Sequence, residues 1–194
     1  MRSRFDEQLS LLNKKMIEMG AQCEELIAFV ARALLNGDAE SAKKAKSQGH
    51  EIDQKEREIE SICLKLLLQQ QPVAKDLRVI SAALKMITDM ERIGDQAEDI
   101  ADIITFLCGR TGEECKDIRV MAEATIKMVT DSIDAYVNGD LKLAESVSDH
   151  DDVVDDAPGI GAGAVGTQAD DVKHSGKHHA DGDGVGHIGQ EEDG

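Results

Sequence analysis

Apolar residues recur along this chain at steps of three and four. From Phe5 to Asn36 they fall at Leu9, Leu12, Met16, Met19, Cys23, Leu26, Val30 and Ala33. That rhythm puts one stripe on an α-helix and leaves its other face polar. The same spacing predicts helices over Ala39–Gln70, Ala74–Cys108, Glu114–Val137 and Leu141–Asp156. The breaks between them are chemical. Asn36-Gly37-Asp38 and Asn138-Gly139-Asp140 each offer a glycine for the left-handed cap and an aspartate to open the next helix. Pro72 stops the second helix. The seam of the third helix is expected at Val79, Ala83, Met86, Met90, Ile93, Ala97, Ile100, Ile104 and Leu107. Long helices with short connections imply antiparallel neighbours in an all-α bundle.

The chain also repeats itself at an offset of 102 residues. NGD recurs, Met19 maps onto Met121, Ala33 onto Ala135, Ala42 onto Ala144, and Ile52-Asp53 onto Val154-Asp155. A duplicated three-helix unit is the economical reading. It gives tandem three-helix bundles, the second incomplete: residues 1–110 form the first, 111–157 supply two helices of the second, and 158–194 form a tail. A second copy of the third helix is not found. From Pro158 the chain has ten of its 17 glycines and no Leu, Met, Phe or Tyr. Such a segment cannot bury an apolar face and is expected to be disordered. The change falls inside a helical pattern, which suggests a reading-frame change near codon 157; a replaced tail is the alternative.

Composition narrows the function classes. Aromatics are 2% and Trp is absent, so the core must be aliphatic. Net charge is −17 and no Lys/Arg run is present, which argues against nucleic acid. No stretch is apolar enough to cross a membrane and no signal-peptide pattern opens the chain, so a cytoplasmic protein without direct membrane insertion is expected. Cys23, Cys63, Cys108 and Cys115 are scattered and are expected to be free thiols. No P-loop, G-x-S-x-G, H-E-x-x-H or Glu-x-x-His motif occurs, and no enzyme activity is expected.

The candidate chemistry lies in the third helix. Glu91, Asp95, Glu98 and Asp102 follow at steps of 4, 3 and 4, stacking four carboxylates into one ribbon. Facing water, the ribbon needs no partner beyond neighbours such as Arg92 and Lys85. Facing other helices, it calls for a positive charge, most simply a metal ion on oxygen ligands.

The segment PVAKDLRVISAALKMITDMERIGDQAEDIA, from Pro72 to Ala101, resembles the third helix of the PhoU family of phosphate-signalling regulators. Asp76-Leu77-Arg78 and Glu91-Arg92-Ile93-Gly94-Asp95 hold the match, which extends over about residues 1–157. The resemblance implies two three-helix bundles side by side and metal bound by paired acidic motifs on adjacent helices. Glu91 and Asp95 would form one half of a site. Asp53 fits the other half, but Gly49 stands where an acid would be expected, with His50 or Glu51 as substitutes. In the repeat, Asp151 and Asp155 supply a fuller motif with no partner helix. The metal would be a divalent or iron-type ion.

The resemblance further implies a cytoplasmic regulator of phosphate uptake and phosphate-starvation signalling. It would negatively modulate the phosphate transporter, through its ATPase subunit, and a sensor histidine kinase, and act as a homodimer. Two other classes stay open: a carboxylate-rich metal-binding bundle for metal storage or metal-dependent catalysis, and a structural helical scaffold. His174, His178 and His179 in the tail suggest adventitious metal binding. Asp76 is expected to complement the dipole of the third helix.

Translating the DNA beyond codon 157 in the other two frames should uncover a Leu-rich helix with an acidic pair. If neither frame contains one, the frame-change explanation fails and the replaced tail stands.

Overall fold

In the computed structural model, the described residues are 2–69, 72–107 and 116–155. Six helices are formed among them: α1 (Arg2–Asn36), α2 (Ala39–Ala42), α3 (Ala45–Gln69), α4 (Ala74–Leu107), α5 (Lys116–Asn138) and α6 (Leu141–Asp155). Both NGD turns close as the residue types require. Gly37 and Gly139 take φ of 63° and 66°, where a side chain would be strained. Asp38 N–H donates to Ala33 O and Asp140 N–H to Ala135 O, each at 2.9 Å, while both glycine N–H groups reach one residue further along. These are the paired bonds that satisfy a helix's last carbonyls. Asp38 then accepts from Ser41 N–H at 2.9 Å, and Asp140 from Leu143 N–H at 3.1 Å. The 102-residue repeat is thus visible in hydrogen bonds as well as in letters.

At the start of α4, Val73 N–H donates to Asp76 at 3.3 Å. Asp76 therefore acts as the reaching-back half of a capping box as well as a dipole partner. The single helix expected over Ala39–Gln70 is instead divided. Lys44 N–H turns back to Ser41 O, and Ser47 N–H to Lys44 O, tightening the chain between α2 and α3. This keeps both Ala42 and Ala45 fully buried while Lys43 and Lys44 face water.

The core lies where α1, α3 and α4 meet. Leu12, Met16, Met19, Cys23 and Leu26 of α1 are fully buried, along the stripe its spacing predicts. They meet Ile52, Ile59 and Leu66 of α3 and Ile80, Ile87 and Ile104 of α4. The seam of α4 needs correction. The buried line is Ile80, Ala83, Ile87, Met90, Gly94, Ala97, Ala101 and Ile104. Ala83, Met90, Ala97 and Ile104 are as expected, but Met86 and Ile93 flank the core, Val79 and Leu107 are only partly buried, and Ile100 is exposed. Packing against two helices at once selects a phase that turns Gly94 inward. Ile52 fills the space in front of it, 3.5 Å from where a Cβ would stand.

The α5–α6 pair completes the unit of residues 1–155. α5 lies along α1, with Ile133 over Gly20 so closely that a Cβ there would be 2.9 Å from Ile133 Cγ1. Thr130 also donates to Glu24 at 2.7 Å. Ala33 and Ala135, equivalent by the repeat, are both buried, but other equivalent positions are less covered here. Ala42 is fully buried but Ala144 is exposed, and Met19 is fully buried but Met121 only half so.

Ile52→Ala should cost about 2–5 kcal/mol in chemical denaturation, since it empties the volume over Gly94. Leu68→Ala, at a residue 83% exposed, should change stability by less than about 0.5 kcal/mol. Equal effects would contradict this placement of the core.

Candidate metal centre

Helix α3 meets two neighbours with opposite electrostatics. Against α1 its charges are balanced. Lys15 bridges to Glu58 at 3.0 Å, Lys55 to Glu18 at 2.9 Å, and Lys15 also reaches Glu18 at 3.1 Å. The hydrogen bonds to these carboxylates raise the pKa of Lys15, and the lysines lower those of Glu18 and Glu58. Against α4, acids face acids around Asp53 and Glu56.

Ile52 packs on Gly94, and the neighbours of these two residues are therefore brought together. Asp53 follows Ile52; Glu91 and Asp95 lie a turn before and one residue after Gly94. One carboxylate oxygen from each of Asp53, Glu91 and Asp95 lies within 4.8 Å of the others. Asp53 and Glu91 are half-buried and Asp95 is exposed, so the cluster opens to solvent. The three residues singled out from sequence for the first site thus converge.

The pKa of Glu91 is raised above its ordinary value near 4.5. Burial is the main cause, followed by repulsion from Asp95, Glu56 and Asp53; Arg92 opposes it weakly. Arg92 instead lies 3.7 Å from Asp89. His50 Nδ1, 3.6 Å from Asp53, adds a cation only when protonated.

The rest of the ribbon is accounted for along α3. Asp102 pairs with Lys46 at 3.0 Å. Glu98 leans over Gly49: a Cβ on Gly49 would stand 2.8 Å from its Cδ. The volume an acidic side chain at position 49 would need is therefore taken by an acid from α4. Burial again raises the pKa of Glu98, and His50 offsets part of it. Glu51 is exposed and outside the cluster. Glu98 sits on the expected ribbon, but its place over Gly49 is a contact between helices 49 residues apart and has no local signature.

Three clustered carboxylates with no lysine or arginine among them suit a hard cation bound through oxygen. Asp53, Glu91 and Asp95 would hold it, and the ion would supply the charge that removes their repulsion. The backbone of Asp151 and Asp155 belongs to the end of α6, but their side chains lie outside the described residues. His174, His178, His179, Cys108 and Cys115 also lie outside them. Cys23 and Cys63 are buried free thiols whose pKa burial raises to about 12 and about 11.

Comparison with known proteins bears on the fold and the family. The family model described as the PhoU domain matches residues 16–104 and 118–157. A phosphate-specific transport system accessory protein PhoU homolog from Clostridium acetobutylicum is 37% identical over 156 residues, covering 79% of this chain and 71% of that protein. The homolog from Synechocystis sp. is 36% identical, with 80% and 70% covered. The chain spans 60% and 64% of the length of two Pseudomonas relatives, each 32% identical. The crystal structure of PhoU from Pseudomonas aeruginosa superposes with a TM-score of 0.73 at 32% identity, covering 78% of this chain and 73% of that one.

A raised carboxyl pKa favours the metal-free fold below about 4.5 and withdraws that support as pH rises through the raised value. Glu91→Gln should therefore raise the thermal midpoint of the metal-free protein at pH 7, with the gain shrinking toward pH 4.5. Identical midpoints at every pH would remove the repulsion on which the site rests.

Proposed function

This chain belongs to the PhoU family, and on that premise we propose that it acts as an accessory regulator of phosphate transport. The family match over residues 16–104 and 118–157 is the observation that supports the reading. The relatives' names place them with a phosphate-specific transport system. In this reading the protein works in the cytoplasm. It restrains uptake by docking on the transporter's ATPase subunit and dampens the starvation response through a sensor histidine kinase, as a homodimer. No described helix is long and apolar enough to cross a membrane, which suits an adaptor that reaches the transporter from outside the bilayer.

The physical mechanism is docking of helical faces. A divalent or iron-type cation on Asp53, Glu91 and Asp95 pins α3 to α4. The same helix α4 presents Ile103 and Phe106, 54% and 82% exposed, near its C-terminal end. Cation occupancy would set how rigidly that apolar end is held.

A strain lacking this gene and carrying a phosphate-starvation reporter tests both parts. In phosphate-rich medium, deletion should raise reporter output, the wild-type gene should restore repression, and Asp53→Asn with Asp95→Asn should fail to restore it. Unchanged output on deletion would overturn the regulatory role. Full restoration by the double variant would overturn the cation's part in it while leaving the regulator standing.

A further inference from the structure

The seam between α1 and α5 is tight at Gly20 and Ile133 but open at its other end. There Ala28, Ala31 and Ala122 face the gap with side chains too small to fill it, and a groove of about 350 Å³ results. Leu35 and Ile126 extend its apolar lining. Arg32 from α1 and Arg119 from α5 stand at it, both exposed. Neither guanidinium has an ion-pair partner among the described residues. Glu123 is the one acid among the described lining residues.

That is an inversion of the chain's average. Acids outnumber lysines and arginines 39 to 22 overall, yet among the described lining residues two cations face one acid. Guanidinium groups match phosphate oxygens bidentately. Two of them suit a phosphate monoester, with its charge of about −1.5 to −2 at pH 7, better than a single carboxylate. The alanine and isoleucine walls would cover the ester's organic part, as apolar linings do in small-ligand sites.

We propose that the α1–α5 groove binds a small organic phosphate between Arg32 and Arg119. The inference is independent of the carboxylate cluster. Titration calorimetry with adenosine monophosphate, inorganic phosphate and adenosine, in the presence of a chelator, tests it. The chelator keeps a cation on the Asp53–Glu91–Asp95 cluster from supplying an anion site of its own. The monophosphate should bind, inorganic phosphate more weakly, and adenosine least. Arg32→Gln and Arg119→Gln should each weaken the monophosphate about tenfold, the loss of one charge-assisted contact. Both residues are exposed, so the variants should melt at the wild-type temperature. Undiminished binding by either variant, absence of monophosphate binding, or equal affinity for inorganic phosphate would each overturn the proposal.

Discussion

The contact of Ile52 with Gly94 is the constraint on which the rest depends. Ile52 of α3 lies over Gly94 of α4 at ordinary packing distance, 3.5 Å from where a Cβ on Gly94 would stand, and so fixes how the two helices face each other. Both residues are buried at the centre of the three-helix core. Helical periodicity then decides what stands beside them. Asp53, Glu91 and Asp95 have no choice but to meet at the rim of the same contact. The core is apolar packing, and the acidic cluster is its by-product; within it Glu91 is raised toward protonation by burial and by repulsion from Asp95, Glu56 and Asp53.

The surroundings show that this repulsion is local. One face of α3 pairs two lysines with two glutamates on and against α1, so its charges close among themselves. The other face leaves Asp53 and Glu56 opposite more acids, with Lys46 answering Asp102 at the far end. A fold can accept such a cluster, because exposed like charges cost only tenths of a kcal/mol per pair on a helix. Partial burial increases the cost, and a bound cation would reverse it.

Much of this is legible in the chain. The stripe of α1, the two NGD turns and the Glu91–Asp95 pair follow from spacing and capping chemistry alone. The phase of α4 is less so. A 4-3 rhythm admits neighbouring seams, and only contact with both α1 and α3 selects Ile80 and Ile87 over Val79 and Met86. The break between α2 and α3 has no proline or glycine to announce it. Gly49 is the instructive case. As a letter it looks like a missing ligand; in the fold it is the space into which Glu98 leans. The uneven burial of Ala42 and Ala144, at matched places in the repeat, follows from a third helix that covers one and has no counterpart over the other among the described residues.

The central claim is that α3 and α4 together form a cation site on Asp53, Glu91 and Asp95. Electron paramagnetic resonance of Mn²⁺ added to the metal-free protein tests it directly, since the aqueous ion's signal is lost on binding. The account predicts that the signal falls with wild-type protein and persists with Asp53→Asn, whose only defect is the α3 ligand. An undiminished signal with wild type, or equal loss with Asp53→Asn, would contradict it.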